Sequence, residues 1–245
     1  MTLSSIPFGP GVRLLAEHPN GLVVLDKPEG LASHPNGPGP EKDTLLKAAY
    51  DHQRECYRWP RTEGGMERLF LLNRLDSPTS GLILLCRGQA ESERFKEMFK
   101  ERRIHKTYVA AVSSHQPRCG LWEDELEKSR GDGHVRARAV RGGARAVCRA
   151  SLITADPSRR LSALLLEPET GLTHQLRVQC ALRQHPIVGD RTYGDFAVNK
   201  ALGPLASRLY LHALRIEVPL GGGEIFRAES PLPAAFKTLL PKCSV

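Results

Sequence analysis

The chain has no apolar run approaching the roughly 20 residues that a membrane helix needs. Its opening, Met1 to Asn20, holds prolines and glycines but no apolar signal core, so a soluble, cytoplasmic protein is expected. Cysteine pairing is missing too. Cys56, Cys86, Cys119, Cys148, Cys180 and Cys243 are scattered singly, with no Cys-x-x-Cys, which argues against a zinc knuckle or a disulfide framework and fits a reducing compartment. No dinucleotide fingerprint, phosphate loop or metal-ligand motif is present, so neither cofactor nor metal is expected. No internal repeat or low-complexity tract stands out.

What is present is a 245-residue chain with 40% hydrophobic residues, enough for a sizeable core. Its formal charge of +8 and pI near 9.4 favour an anionic partner such as nucleic acid.

One polar segment, Asn73-Arg74-Leu75-Asp76-Ser77-Pro78-Thr79-Ser80-Gly81, lies between two apolar runs, Leu69 to Leu72 and Leu82 to Leu85, each suited to a buried strand. Asp76 therefore falls at a strand end beside a turn, where the scaffold fixes the backbone and leaves the side chain open to a ligand. Arg74, two residues earlier in an extended chain, points to the same side, so a cation and a carboxylate face one space. A plainer role, capping the Ser77-Pro78 turn, is open to the same aspartate.

In chain order, Leu22 to Leu25 reads as a strand stopped by Lys27-Pro28, and residues 32 to 42 as turns. Asp43 reads as the N-cap of a helix through Leu45, Leu46, Ala49 and Tyr50, and residues 54 to 68 as a basic connecting loop. Glu91 to Arg103 reads as an amphipathic helix with Phe95, Met98 and Phe99 inward, and Thr107 to Val112 as a strand carrying Tyr108. Val135 to Val140 alternates at strand period, which puts Arg136 and Arg138 on one face, and Gly142-Gly143 turns the chain back. Those arginines either track an RNA backbone or sit on a solvated face.

Strands are expected at Leu152 to Thr154 and Leu161 to Leu166, then a helix from about Thr173 on which His174 and Arg177 share a face. An arginine near a helix start is unfavourable with the dipole, so Arg177 calls for a carboxylate or phosphate. Asp190 and Tyr193 read as holding a turn. Strands at Leu209 to Val218 and Glu224 to Ala228 and a helix at Ala234 to Leu240 complete an α+β pattern of many short strands and few helices.

The polar segment resembles the catalytic motif His-Arg-Leu-Asp-x-x-Thr-Ser-Gly of the RluA-type pseudouridine synthases. Asp26-Lys27-Pro28-Glu29-Gly30, Lys106 to Ala110, Thr170 to Val178, Pro186 to Asp190 with Tyr193-Gly194, and Leu211-His212-Ala213 resemble further segments of that family in the same order. The chain departs from the pattern at Asn73 (normally histidine), Leu172 (normally arginine) and Gln179 (often histidine). These departures bear on substrate contacts more than on the chemistry.

The resemblance implies a pseudouridine synthase fold, a mixed, largely antiparallel sheet with flanking helices around a central RNA-binding cleft. It also implies an irregular segment over 1–20 and a single catalytic domain over 21–245, without room for the extra N-terminal RNA-binding module that such proteins often carry. The implied reaction converts uridine in rRNA or tRNA to pseudouridine. In that reaction Asp76 acts as the nucleophile, Arg177 holds it ionised and aimed, Tyr108 packs the base, and Arg74 fills the space left by the flipped uridine. Lys27, Thr79 and His174 are expected as further substrate contacts, joined by Arg136 and Arg138 if their face tracks the RNA. RNA is the one partner expected, bound by a monomer. Two other classes fit less well: a non-catalytic RNA-binding or assembly factor on the same fold, and a hydrolase, which needs a second acid about 5–10 Å from Asp76.

Overall fold

The computed structural model describes residues 6–35, 43–61, 64–131 and 134–245, with the side chains of 130–134 left aside. Its strands outnumber its helices, and every strand pair with a resolved register is antiparallel. The α+β class expected from the pattern is therefore the one observed. The chain divides into two compact units, Met1–Ile104 with Glu217–Ser230, and His105–Ile216 with Pro231–Val245.

In the first unit the strands β1 (Arg13–Glu17), β2 (Leu22–Lys27), β3 (Ala49–Asp51), β4 (Cys56–Pro60), β5 (Met66–Leu71) and β6 (Ser80–Cys86) pair in the order β1-β2-β6-β5-β4-β3. Every residue of β2 and β6 is buried, which explains why both read as continuous apolar runs rather than as alternation. Val23, Leu25, Ile83 and Leu85 pack with Leu45, Leu46, Tyr57, Leu69 and Leu71 in one cluster. Helix α1 (Gln89–Lys100) buries Phe95 and Met98, as its spacing predicts.

Two expectations fail in this unit. The helix expected from Asp43 is an extended segment instead. Leu45 N–H donates to the Ala32 carbonyl and Gly9 N–H to the Leu45 carbonyl, and isolated bridges join Thr44 to Ala32 and Leu46 to Phe8. Those long-range partners take the backbone bonds a helix would have used, and the adjacent Leu45 and Leu46 are both fully buried. The loop expected over residues 54–68 is largely the β4-β5 hairpin, with Cys56, Tyr57 and Trp59 buried. Pro60 lies at the strand end, where its missing N–H costs little.

In the second unit lie β7 (His105–Val112), β8 (Gly120–Gly131), β9 (His134–Ala139), β10 (Ala144–Asp156), β11 (Leu161–Pro168) and the first part of β12 (Leu211–Gly221). They pair in the order β12-β7-β11-β10-β8-β9. Strand β13 (Glu224–Glu229), which belongs to the first unit, pairs with β12. Helices α2 (Gln175–Leu182) and α4 (Ala234–Leu239) contribute Leu176, Cys180, Phe236 and Leu239 to a core with Val109, Ala111, Leu164 and Leu166. The pattern did not reveal α3 (Phe196–Leu202), although its cap is legible: the Asp195 carboxylate accepts from the N–H groups of Ala197 and Val198. No helix among the described residues is long and apolar enough to cross a membrane.

Candidate active site

The motif segment leaves the sheet by a substitution of acceptors. Leu72 N–H still reaches the Leu84 carbonyl at 3.0 Å, but Leu84 N–H donates to the Asn73 side-chain oxygen at 2.7 Å. The amide thus continues the ladder in place of a backbone carbonyl and frees the chain to bend. Asn73, a departure from the family pattern, has a structural task here. One step on, the Ser33 hydroxyl brackets the Leu75 peptide, accepting from its N–H at 3.0 Å and donating to its carbonyl at 2.8 Å. Leu75 is buried, whereas Arg74 is exposed and Asp76 half-buried, the alternation that an extended chain imposes. A turn over Ser77-Pro78 closes through Thr79 N–H to the Asp76 carbonyl at 2.9 Å. The buried Thr79 thereby fixes the backbone at Asp76.

Beneath that turn lies Lys27, and its setting corrects an expectation. The residue is fully buried, and its ammonium donates to the carbonyls of Pro28 (3.0 Å), Leu31 (2.9 Å) and Ser77 (3.0 Å). An ammonium has three N–H donors, so these carbonyls leave none for a phosphate. Lys27 is a clamp on the turn, reinforced by Gly30 N–H to the Ser77 carbonyl at 2.8 Å. Arg74, Asp76, Thr79 and Lys27 thus all belong to one loop and its support.

The second unit holds the other candidates. Tyr108 is half-buried on β7 opposite Leu166, and Lys106, two residues before it, shares its face. Burial pushes the Lys106 ammonium below its usual range. Arg177, buried in the first turn of α2, makes a two-pronged pair with Asp190, Nε to Oδ2 at 2.8 Å and Nη2 to Oδ1 at 2.9 Å. Burial alone would raise the Asp190 carboxyl, but Arg177 and the N–H groups of Thr192 and Tyr193 outweigh it and hold the group below the ordinary carboxylate range. The carboxylate that Arg177 calls for is therefore, within its own unit, Asp190. The same two N–H groups, at 2.8 and 3.0 Å from Oδ1, build the turn expected around this aspartate.

Tyr193 links three pieces of the unit. Its ring lies 5.1 Å from the Arg177 guanidinium, and its hydroxyl is 2.9 Å from His174 Nδ1 and accepts from Ala137 N–H on β9 at 2.7 Å. His174 occupies the α2 N-cap in a left-handed conformation, so it precedes the helix rather than riding on it. Arg136 and Arg138 flank Ala137; both are exposed while Ala137 is buried, the shared face that alternation predicts. Arg138 pairs with Glu127 at 3.3 Å.

The remaining departures also have structural work. Leu172 packs with Leu126, Ala137, Ala146 and Val178, and Gln179 donates to Asp124 (2.8 Å) and the Ala146 carbonyl (3.3 Å) while accepting from Gln175 (3.1 Å). Sequence reasoning missed Ser33 and Gln175. A lone serine among turn formers carries no pattern, and Gln175 on α2 reveals itself only through partners on β10.

Comparison with known proteins agrees with this architecture. Residues 21–182 match the model of the RNA pseudouridylate synthase family, and the chain belongs to that family. It is 34% identical over 208 residues to a Haemophilus influenzae protein named uncharacterized RNA pseudouridine synthase, covering 84% of this chain and 81% of that one. It is 30% identical over 234 residues to ribosomal large subunit pseudouridine synthase C of the same organism, covering 90% of this chain and 66% of that one. Its fold resembles that of human RNA pseudouridylate synthase domain containing 1, with a TM-score of 0.67 at 24% identity over 96% of this chain and 90% of that chain. The chain is thus an isomerase of uridine in RNA, and its fold is the pseudouridine synthase fold.

Proposed function

We propose that Asp76 is the carboxylate that acts on a flipped-out uridine. The observation that carries this is the bracketing of its backbone: Ser33 holds the peptide before it, Thr79 closes the turn after it, and Lys27 pins Ser77. Such a frame fixes the Cα while the side chain stays only half-buried, as a reacting group requires. In the isomerisation the bond from C1′ to N1 breaks, the base rotates, and C1′ bonds to C5. The C5 proton is lost and N1 gains one, so no water or electrons are consumed. A carboxylate suits this because it adds to base or sugar and later leaves, dividing one hard step into two.

The target atoms are inaccessible in a stacked helix, so the uridine leaves the stack and the exposed Arg74 enters the vacated space. Tyr108 packs against the extruded base. Arg177, aimed by its two-pronged contact with Asp190, favours the ionised form of Asp76. His174 and the arginines of β9 contact the RNA strand around the target. Ribosomal large-subunit RNA is the first substrate to test, in keeping with the name of a relative.

Asp76→Asn keeps size and shape and removes the nucleophilic charge. Tritium release from RNA carrying 5-tritiated uridine should fall below detection, while RNA affinity stays within a few-fold because phosphate contacts dominate binding. Turnover retained by the purified variant would remove Asp76 from the role.

A further inference from the structure

The first unit carries a group of rings that the reaction above does not use. His34 lies flat on Tyr50, with ring centres 5.0 Å apart and planes 10° from parallel. His52 meets both edge-on, at 5.8 Å from His34 and 5.1 Å from Tyr50, and Tyr57 packs on Tyr50 at 4.9 Å. Exposure rises across the group. Tyr57 is fully buried with its hydroxyl on the Ser33 carbonyl at 2.8 Å, His34 and Tyr50 are half-buried, and His52 is exposed. The rings therefore have a core anchor and a wet edge.

Their position is tied to the motif loop. Ser33, whose hydroxyl brackets Leu75, immediately precedes His34, and Leu75 lies between Arg74 and Asp76. Arg74 is close enough for its charge to act on both Tyr50 and Glu55. Two acids lie by these rings, and each has a partner: Glu55 is held by Lys96 at 2.7 Å, and Asp51, between Tyr50 and His52 in sequence, accepts from the N–H groups of Gln53 and Arg54 at 3.1 Å.

We propose that His34, Tyr50 and His52 form a stacking shelf for an unpaired RNA base flanking the target uridine. The inference rests on the RNA-modifying role of the chain and extends it to a second contact beside the flipped nucleotide. Every base has a π face, so a ring shelf accepts bases with little sequence preference, and the neighbouring Arg74 supplies the charge that keeps a strand nearby. Rings of this kind serve single strands, where bases are free to splay, and not intact duplexes.

The test uses the full chain and a single-stranded RNA of about eight nucleotides carrying one 2-aminopurine, whose fluorescence is quenched by ring stacking. Wild type should quench it on binding. His52→Ala, at an exposed position that leaves the fold undisturbed, should lose part of the quenching, and His34→Leu with His52→Ala should bind about ten-fold more weakly with little quenching. The pair His34→Phe and His52→Phe should restore both. Binding without quenching by wild type, or quenching unchanged in the alanine and leucine variants, overturns the shelf. Tritium release by wild type, measured alongside on bulk RNA, separates the two ideas. Release with unaltered quenching in the variants rejects the shelf and leaves the reaction standing. Absent release with quenching lost in the variants supports the shelf while the catalytic assignment fails.

Discussion

Each unit buries one cation beside a candidate catalytic element, and the two are compensated in opposite ways. Lys27 meets three neutral carbonyls from two chain segments and draws them to one point. Arg177 meets a carboxylate, in a plane set by two parallel hydrogen bonds. The point charge gathers backbone and shapes a turn, whereas the fork fixes an orientation. The ammonium gathers a loop around one point, and the guanidinium is held in one orientation.

The largest expected effect comes from breaking the fork. Asp190→Ala leaves Arg177 buried without its carboxylate and strips the turn at Thr192 and Tyr193 of its acceptor, which should cost about 3–5 kcal/mol in urea unfolding. A loss below about 1 kcal/mol would mean that the guanidinium finds equal compensation elsewhere.

A third buried nitrogen base sharpens the contrast, because it has little compensation at all. His185 is buried against Trp122, its Nε2 has no hydrogen-bond partner among the described residues, and burial, with the charges of Arg183 and Arg118, lowers its pKa from 6.5 to about 4. The unfolded chain therefore binds this proton more readily. The neutral ring's contribution is complete above about pH 6.5 and is lost as pH falls through about 4, on the order of 3 kcal/mol in all. Asp190, with its carboxyl held below the ordinary range, yields only in stronger acid. Stability measured from pH 7 to 4 should decline in wild type and stay flatter in His185→Phe; parallel curves would show another group responsible.

The smallest stability effect is expected from Lys27→Met, about 2 kcal/mol, because three carbonyls lose a donor but no charge is stranded. Activity should fall by more than stability explains, since Ser77 is no longer pinned beside Asp76. Unfolding and tritium release measured on one preparation decide it, and full activity in the variant would strip the clamp of its purpose.

The sequence made the position of Asp76 legible because two buried apolar runs, the end of β5 and the whole of β6, flank a polar segment. The α1 face and the Arg136 and Arg138 alternation were legible for a different reason, periodicity. The segment after Asp43 misled because Leu45, Leu46, Ala49 and Tyr50 fall at helical spacing, while bridges to Phe8 and Ala32 that decide its form are invisible in local pattern. Lys27 reads from sequence as a phosphate contact, whereas its ammonium is buried on three carbonyls, because nothing in Asp-Lys-Pro tells a buried ammonium from a solvated one. No local pattern links β9 to the α2 arginine; Tyr193 joins them, its hydroxyl accepting from Ala137 N–H and its ring lying beside the Arg177 guanidinium.

The clamps on the motif loop also have a kinetic consequence. Ser33 is 42 residues from Leu75, and Lys27 is 50 from Ser77. Contacts of such separation form only after long stretches of chain have closed, so local hairpins such as β4-β5 can assemble while the loop is still loose. The backbone at Asp76 is then fixed only once β2 and the segment that follows it have docked, which makes the proposed reacting carboxylate a late product of folding.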